Sequence, residues 1–172
     1  QHRLQGQIDI PLDEVGQWQV RQTADALREL YVDRRPDIPN RLVICSDLGR
    51  AAATAHAFAD PLGLEVHPDI RVRERSFGGR RGVEALNDWA FRAGSDTDLY
   101  VFSHGAWISQ TLQTLLGMAD AHGDFADILS MRNAHWVRLI PLEIGSTLRW
   151  RLMDYNHGPA IADSEEWEHP SL

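Results

Sequence analysis

Between Leu12 and Asp33 apolar side chains recur every three or four residues, at Val20, Ala24, Leu27 and Leu30 or Tyr31, the spacing of one helix face. Asp13 stands where an N-cap belongs. Pro36 and Pro39 end any helix before the unbroken apolar run Leu42-Val43-Ile44-Cys45. Such a run, bounded by turn residues and followed by a helical pattern, fits a strand buried on both faces. Gly49 to Asp60 is Ala-rich and helical in pattern, and Pro61-Leu62-Gly63 closes it. A brief strand over Leu64–His67 leads into an Arg-rich stretch from Asp69 to Gly82 that shows no regular period. Val83–Ala93 predicts a helix, Leu99–Ser103 a second buried strand and Gly105–Met118 a further helix. Ala134–Leu142 and Thr147–Tyr155 alternate apolar and polar residues about Ile144-Gly145-Ser146, which predicts an antiparallel hairpin. The tail after Tyr155, rich in Asp and poor in apolar residues, is expected to fray.

Strands alternating with helices, two of the strands wholly apolar, predict a three-layer α/β/α sandwich with a mainly parallel central sheet. With 172 residues and no repeat or linker, a single domain over 1–172 is expected. Ligands of such folds bind at the carboxyl ends of the strands, where loops meet helix N-termini. Chemistry is therefore sought in Ser46-Asp47-Leu48-Gly49-Arg50 and in Ser103-His104-Gly105.

Composition narrows the choice. An apolar fraction of 43% with 24% charged residues excludes a disordered chain. No apolar run approaches the roughly 18 residues of a membrane span. A net charge of -8 argues against a nucleic-acid surface. The single Cys45, within an apolar run, reads as a buried thiol and fits a reducing, cytoplasmic setting. All 17 basic residues are Arg, most simply a compositional bias of the genome, although the forked guanidinium is also the better phosphate clamp. No His, Asp or Glu cluster has metal-ligand spacing, so no metal and no cofactor is expected.

His104 follows an apolar strand and precedes Gly105, which would face it into the crevice and toward the positive end of a helix. On its own, a histidine so placed is more often a hydrogen-bonded packing residue. Arg50 lies in the first turn of its helix, where a cation meets the dipole unfavourably, so it is better explained as reaching an anion or an ion-pair partner.

Four stretches together resemble the histidine phosphatase superfamily, the phosphoglycerate-mutase-like proteins. They are Arg3-Leu4-Gln5-Gly6-Gln7-Ile8-Asp9-Ile10-Pro11-Leu12 with Gly16; Cys45-Ser46-Asp47-Leu48-Gly49-Arg50-Ala51 with Thr54-Ala55; Arg73-Glu74-Arg75 with Phe77-Gly78; and Val101-Phe102-Ser103-His104-Gly105. The resemblance implies phosphoryl transfer through a phosphohistidine. In it Arg50 would hold phosphoryl oxygens, His104 would be the second histidine, and Glu74 would be the general acid and then the base. Gln5 and Gly6 would line the pocket rim, Gly105 would let a ligand approach the backbone, and Arg75 would meet a second anionic group or remain a surface residue. Glu74 could otherwise be an ion-pair partner of Arg73 or Arg75. Asn133 and Asn156-His157-Gly158 read as turn residues.

The family's Arg-His-Gly, with the nucleophilic histidine and the first, central strand, would lie upstream of Gln1. His2 does not replace it and reads as an exposed loop residue. Only 30 positions separate Glu74 from His104, where relatives carry a longer helical lid. Either the pocket is unusually open or residues after Gly82 are absent from this sequence. A short lid excludes water badly, so hydrolysis of a small-molecule phosphate ester is expected ahead of mutase chemistry, although Glu74-Arg75 followed by an aromatic and Gly also resembles the mutase form of that segment. A phosphate-binding module without catalysis is the rival from another class. Neither nucleic acid nor membrane is expected as a partner; a homodimer is an assembly open to the chain.

Overall fold

The computed structural model describes residues 9–74, 78–118, 130–144 and 147–172. Helix α1, Glu14–Arg28, is capped by Asp13, whose carboxylate accepts the Gly16 N–H at 2.8 Å, and a wider π turn carries it to Asp33. Strand β1, Asn40–Cys45, is followed by α2, Gly49–Ala59, and then by the short β2, Val66–Pro68. A 3₁₀ turn at Ile70–Val72 precedes α3, Gly78–Ala93, and β3, Thr97–Phe102, runs into α4, Gly105–Leu115. The chain closes with the strands β4, Trp136–Ile144, and β5, Thr147–His157, and two 3₁₀ turns.

The first three strands form one parallel sheet in the order β2-β1-β3, and β4 and β5 form a separate antiparallel pair. Side chains alternate across the parallel sheet as its period of two requires. Val43, Cys45 and Phe102 pack with Ala24, Leu27, Ala55 and Phe58 of α1 and α2. On the other side Val101 packs against Val72, Ala85, Leu86 and Trp107, which belong to the α3–α4 layer. The expected α/β/α layering with a parallel sheet is present. No helix among the described residues is long and apolar enough to cross a membrane.

Two expectations are corrected. Within the stretch from Asp69 to Gly82, residues 69–74 and 78–82 are more ordered than their irregular pattern suggests. Asp69 accepts from Arg71 and from the Trp89 indole at 2.8 Å, and α3 begins at Gly78 rather than Val83. Glycine is a poor helix former, but a Cβ at Gly79 or Gly82 would lie 1.9 or 2.0 Å from a threonine hydroxyl of α4, so tight helix packing outweighs propensity. The tail is also not frayed. Trp167 is fully buried, and its carbonyl accepts the Gln19 side-chain amide of α1 at 2.8 Å. One large aromatic surface anchors a segment otherwise too polar to pack.

Candidate active site

β1 and β3 run in register, Leu42 beside Leu99 and Cys45 beside Phe102, so the turns that follow them meet at one rim. Arg50 sits in the first turn of α2, and His104 caps α4. The segment after β2 brings Glu74 to the same place. It is tied down by the Asp69 N–H on the Cys45 carbonyl at 2.8 Å, and by Ser103 Oγ donating to the Val72 carbonyl at 2.6 Å. Trp107 Nε1 donates to the Arg71 carbonyl at 2.8 Å and closes the same corner.

One carboxylate oxygen of Glu74 lies 3.8 Å from an Arg50 guanidinium nitrogen and 3.9 Å from His104 Nδ1. The three side chains are only 13, 17 and 3% exposed, in the order Arg50, Glu74, His104. Charges this close in a poorly hydrated corner interact far more strongly than surface ions. The structure thus brings together three of the residues singled out in the sequence. Gly105 stands beside them, with the place of its absent Cβ in ordinary contact with Met131 at 3.5 Å. Gln5, Gly6, Arg75 and His2 lie outside the described residues. Arg73 turns away from Glu74 and forms a two-bond ion pair with Asp47, which holds the Asp47 carboxyl below the usual range.

Burial, with help from the Arg50 charge, pushes the His104 pKa down to about 4. The imidazole is therefore neutral at pH 7, one nitrogen donating and the other accepting. The consequence for stability has a definite sign. From the ordinary value near 6.5 down to about 4, the unfolded chain binds a proton that the folded one refuses. Stability contributed by His104 is fully present above pH 6.5 and is lost on acidification through that window, by an amount on the order of 3 kcal/mol. Urea midpoints of the parent and of His104→Gln between pH 4 and 7.5 should diverge, with the parent steeper. Parallel curves would show that His104 titrates normally.

Sequence reasoning quoted several residues that shape the rim without giving them a role. The N-cap of α2 is Leu48, which has no capping group; instead Asp9 reaches across the chain to accept the Gly49 N–H at 2.8 Å. A helix whose own cap position is apolar signals that its N-terminal N–H groups are satisfied from elsewhere. Ser46 is fully buried beneath the site with its hydroxyl 2.8 Å from His104 Nε2. Cys45, next to it, is buried and its thiol is pushed up by desolvation, which makes it an inert packing group. Among the described residues no three His, Cys, Asp or Glu side chains gather as a metal would need.

A cleft of about 2620 Å³ opens beside the site and is lined by α1, β3, α4 and β4, with Leu27, Tyr31, Leu99, Val101, Thr111 and Leu139 among its walls. Arg50, Glu74 and His104 line it too. Among the described residues β3 pairs only with β1, so its other edge faces this cleft.

Residues 1–85 match the family model of the histidine phosphatase superfamily, branch 1. A glucosyl-3-phosphoglycerate phosphatase of Mycolicibacterium vanbaalenii is 27% identical over 217 residues, covering 94% of this chain and 90% of that protein. A probable phosphoglycerate mutase GpmB of Enterobacter sp. is 38% identical over 90 residues; the match takes in 51% of this chain but only 38% of the relative's length. The structure of mycobacterial glucosyl-3-phosphoglycerate phosphatase with inorganic phosphate superposes with a TM-score of 0.74 at 22% identity, over 92% of this chain and 93% of that one. The chain belongs to the histidine phosphatase superfamily.

Proposed function

We propose that the complete protein hydrolyses a small phosphomonoester through a phosphohistidine, with Arg50 and His104 holding the phosphoryl group and Glu74 moving the proton. The observation that carries this reading is the convergence of a guanidinium, a carboxylate and a neutral imidazole within 4 Å at the carboxyl ends of two parallel strands. A histidine nitrogen attacks phosphorus and the ester P–O bond breaks, with Glu74 giving its proton to the departing oxygen. Water then attacks phosphorus and loses its proton to Glu74, and the P–N bond breaks to release phosphate. Arg50 and His104 donate hydrogen bonds to the equatorial oxygens while charge builds on them.

The attacking histidine in this reading is that of the family's Arg-His-Gly segment, on a strand beside β3, whose other edge pairs with no strand among the described residues. The cleft that this edge faces supports it. The residues encoded just before Gln1 test the point: Arg-His-Gly supports an enzyme, and another residue at the histidine supports the phosphate-binding module.

Hydrolysis is preferred to mutase chemistry. The alignment with the mycobacterial phosphatase spans 217 positions against 172 residues here, so that relative has segments absent from this chain. Between Glu74 and β3 the described residues form one helix, α3, packed onto α4. Among the described residues of that interval none forms a cover that would exclude water. The substrate class suggested by the relatives is a phosphorylated glycerate or its sugar conjugate.

Release of phosphate from a panel of such esters should continue in excess chelator, because Arg and His supply the positive charge that a metal would otherwise bring. Vanadate, with its access to five-coordinate geometry, should inhibit. Complete loss in chelator with recovery on adding a divalent ion would contradict the proposal.

A further inference from the structure

Ser46 is fully buried at the end of β1, its own N–H fixed on the Phe102 carbonyl of β3 at 2.9 Å. Its hydroxyl makes two contacts. The Leu48 N–H lies 3.2 Å from Oγ, and the amide can only donate, so Oγ accepts there. The hydroxyl has one proton left to give, and burying it without an acceptor would be costly. Among the described residues the acceptor within reach is His104 Nε2 at 2.8 Å.

If Nε2 accepts, it carries no proton. A neutral imidazole must then hold its proton on Nδ1, the nitrogen that faces Glu74 Oε2 at 3.9 Å, the same oxygen that meets Arg50. The chain Leu48 N–H to Ser46 O–H to His104 Nε2 therefore sets both the tautomer and the tilt of the ring from below. With the serine hydroxyl gone, nothing described would hold Nε2, and the proton could move to the wrong side.

We propose that Ser46 is a positioning residue that locks His104 in the Nδ1–H tautomer, so that its donor points at the oxygens of a bound phosphoryl group. This deepens the phosphatase reading and rests on it for the phosphoryl group, while the tautomer stands on geometry alone. A neighbour that fixes the tautomer of a working histidine is typically worth a 10- to 100-fold effect.

The test reads the two claims separately on the complete protein. Imidazole nitrogen NMR shifts report the tautomer of His104 without any turnover, in the parent, Ser46→Ala and Ser46→Thr. Nδ1–H in the parent, lost or mixed in Ser46→Ala and regained in Ser46→Thr, is the expected result. Titration with inorganic phosphate should move the Nδ1–H resonance in the parent. Phosphate release should then show kcat down about 10- to 100-fold in Ser46→Ala with KM within about threefold, and recovery in Ser46→Thr. An Nε2–H tautomer in the parent, or an unchanged Nδ1–H tautomer in Ser46→Ala, overturns the proposal. A lowered melting point with the tautomer intact does so as well, because Ser46 would then be a packing residue only. If the tautomer behaves as expected but phosphate neither moves the resonance nor is released from any ester, the phosphatase reading fails and the tautomer lock stands.

Discussion

Glu74→Gln in the complete protein should slow transfer from an alkyl phosphate by about 10²–10⁴, the range of a well-placed general acid. Gln keeps the size and a hydrogen-bonding oxygen but has no proton to give a departing alkoxide. An aryl phosphate with a low leaving-group pKa needs little protonation, so its loss should be much smaller. The geometry sharpens the contrast. Glu74 stands 3.8 Å from Arg50, and an alternative role is to balance that cation. Removing charge balance would change how Arg50 receives any phosphoryl group, and both substrates would fall by one factor. The measurement is the mutant-to-parent rate ratio for the two esters under single turnover, so that hydrolysis of the phosphohistidine does not hide the first step. A large ratio difference assigns the proton to Glu74; equal losses would move the acid elsewhere.

Much of the fold could be read along the chain because its signals were redundant. β1 and β3 end in the apolar runs Leu42–Cys45 and Leu99–Phe102, and such a run between turn residues has few alternatives to a strand, although β3 is only half-buried before Phe102. Position at strand ends then brought Arg50 and His104 together before any side chain was placed. What escaped reading depended on contacts distant in sequence. Gly79 and Gly82 argue locally against helix, and only the threonines of α4 explain them. Leu48 at an N-cap is uninformative until Asp9, 40 residues before Gly49, takes over its task. Ser46 looks like any small residue after a strand, and its meaning appears only when His104 arrives 58 positions later. Adjacency was no guide to the alternative role of Glu74 either: Arg73 is its neighbour in sequence but pairs with Asp47.

The tail is the largest departure from local pattern, and its anchor should carry a large share of the stability. Trp167→Ala is expected to cost about 3–5 kcal/mol, the usual penalty for emptying a large aromatic site in a packed core. For a chain of this length that corresponds to a fall in Tm of roughly 6–20 °C. The ring is fully buried, tilted against Trp18 at a centroid distance of 5.6 Å and edge-on to His135 at 5.7 Å. Around it the chain is cross-tied. Arg132 donates from its guanidinium to the Ala162 carbonyl at 2.7 Å and from its N–H to Asn156 Oδ1 at 2.8 Å, and Thr23 Oγ donates to the Ala134 carbonyl at 2.6 Å. Through these ties the tail supports the residues leading to Met131, which rests against Gly105 beside His104. Trp167→Phe should lose much less, about 1–2 kcal/mol, because the indole N–H has no hydrogen-bond partner among the described residues and its removal relieves a buried polar group. Glu166→Ala, at an exposed neighbour, should stay within about 0.5 kcal/mol. Denaturant midpoints of the three variants decide the matter. A frayed tail would leave all three alike, whereas a docked one must rank Trp167→Ala well below the other two.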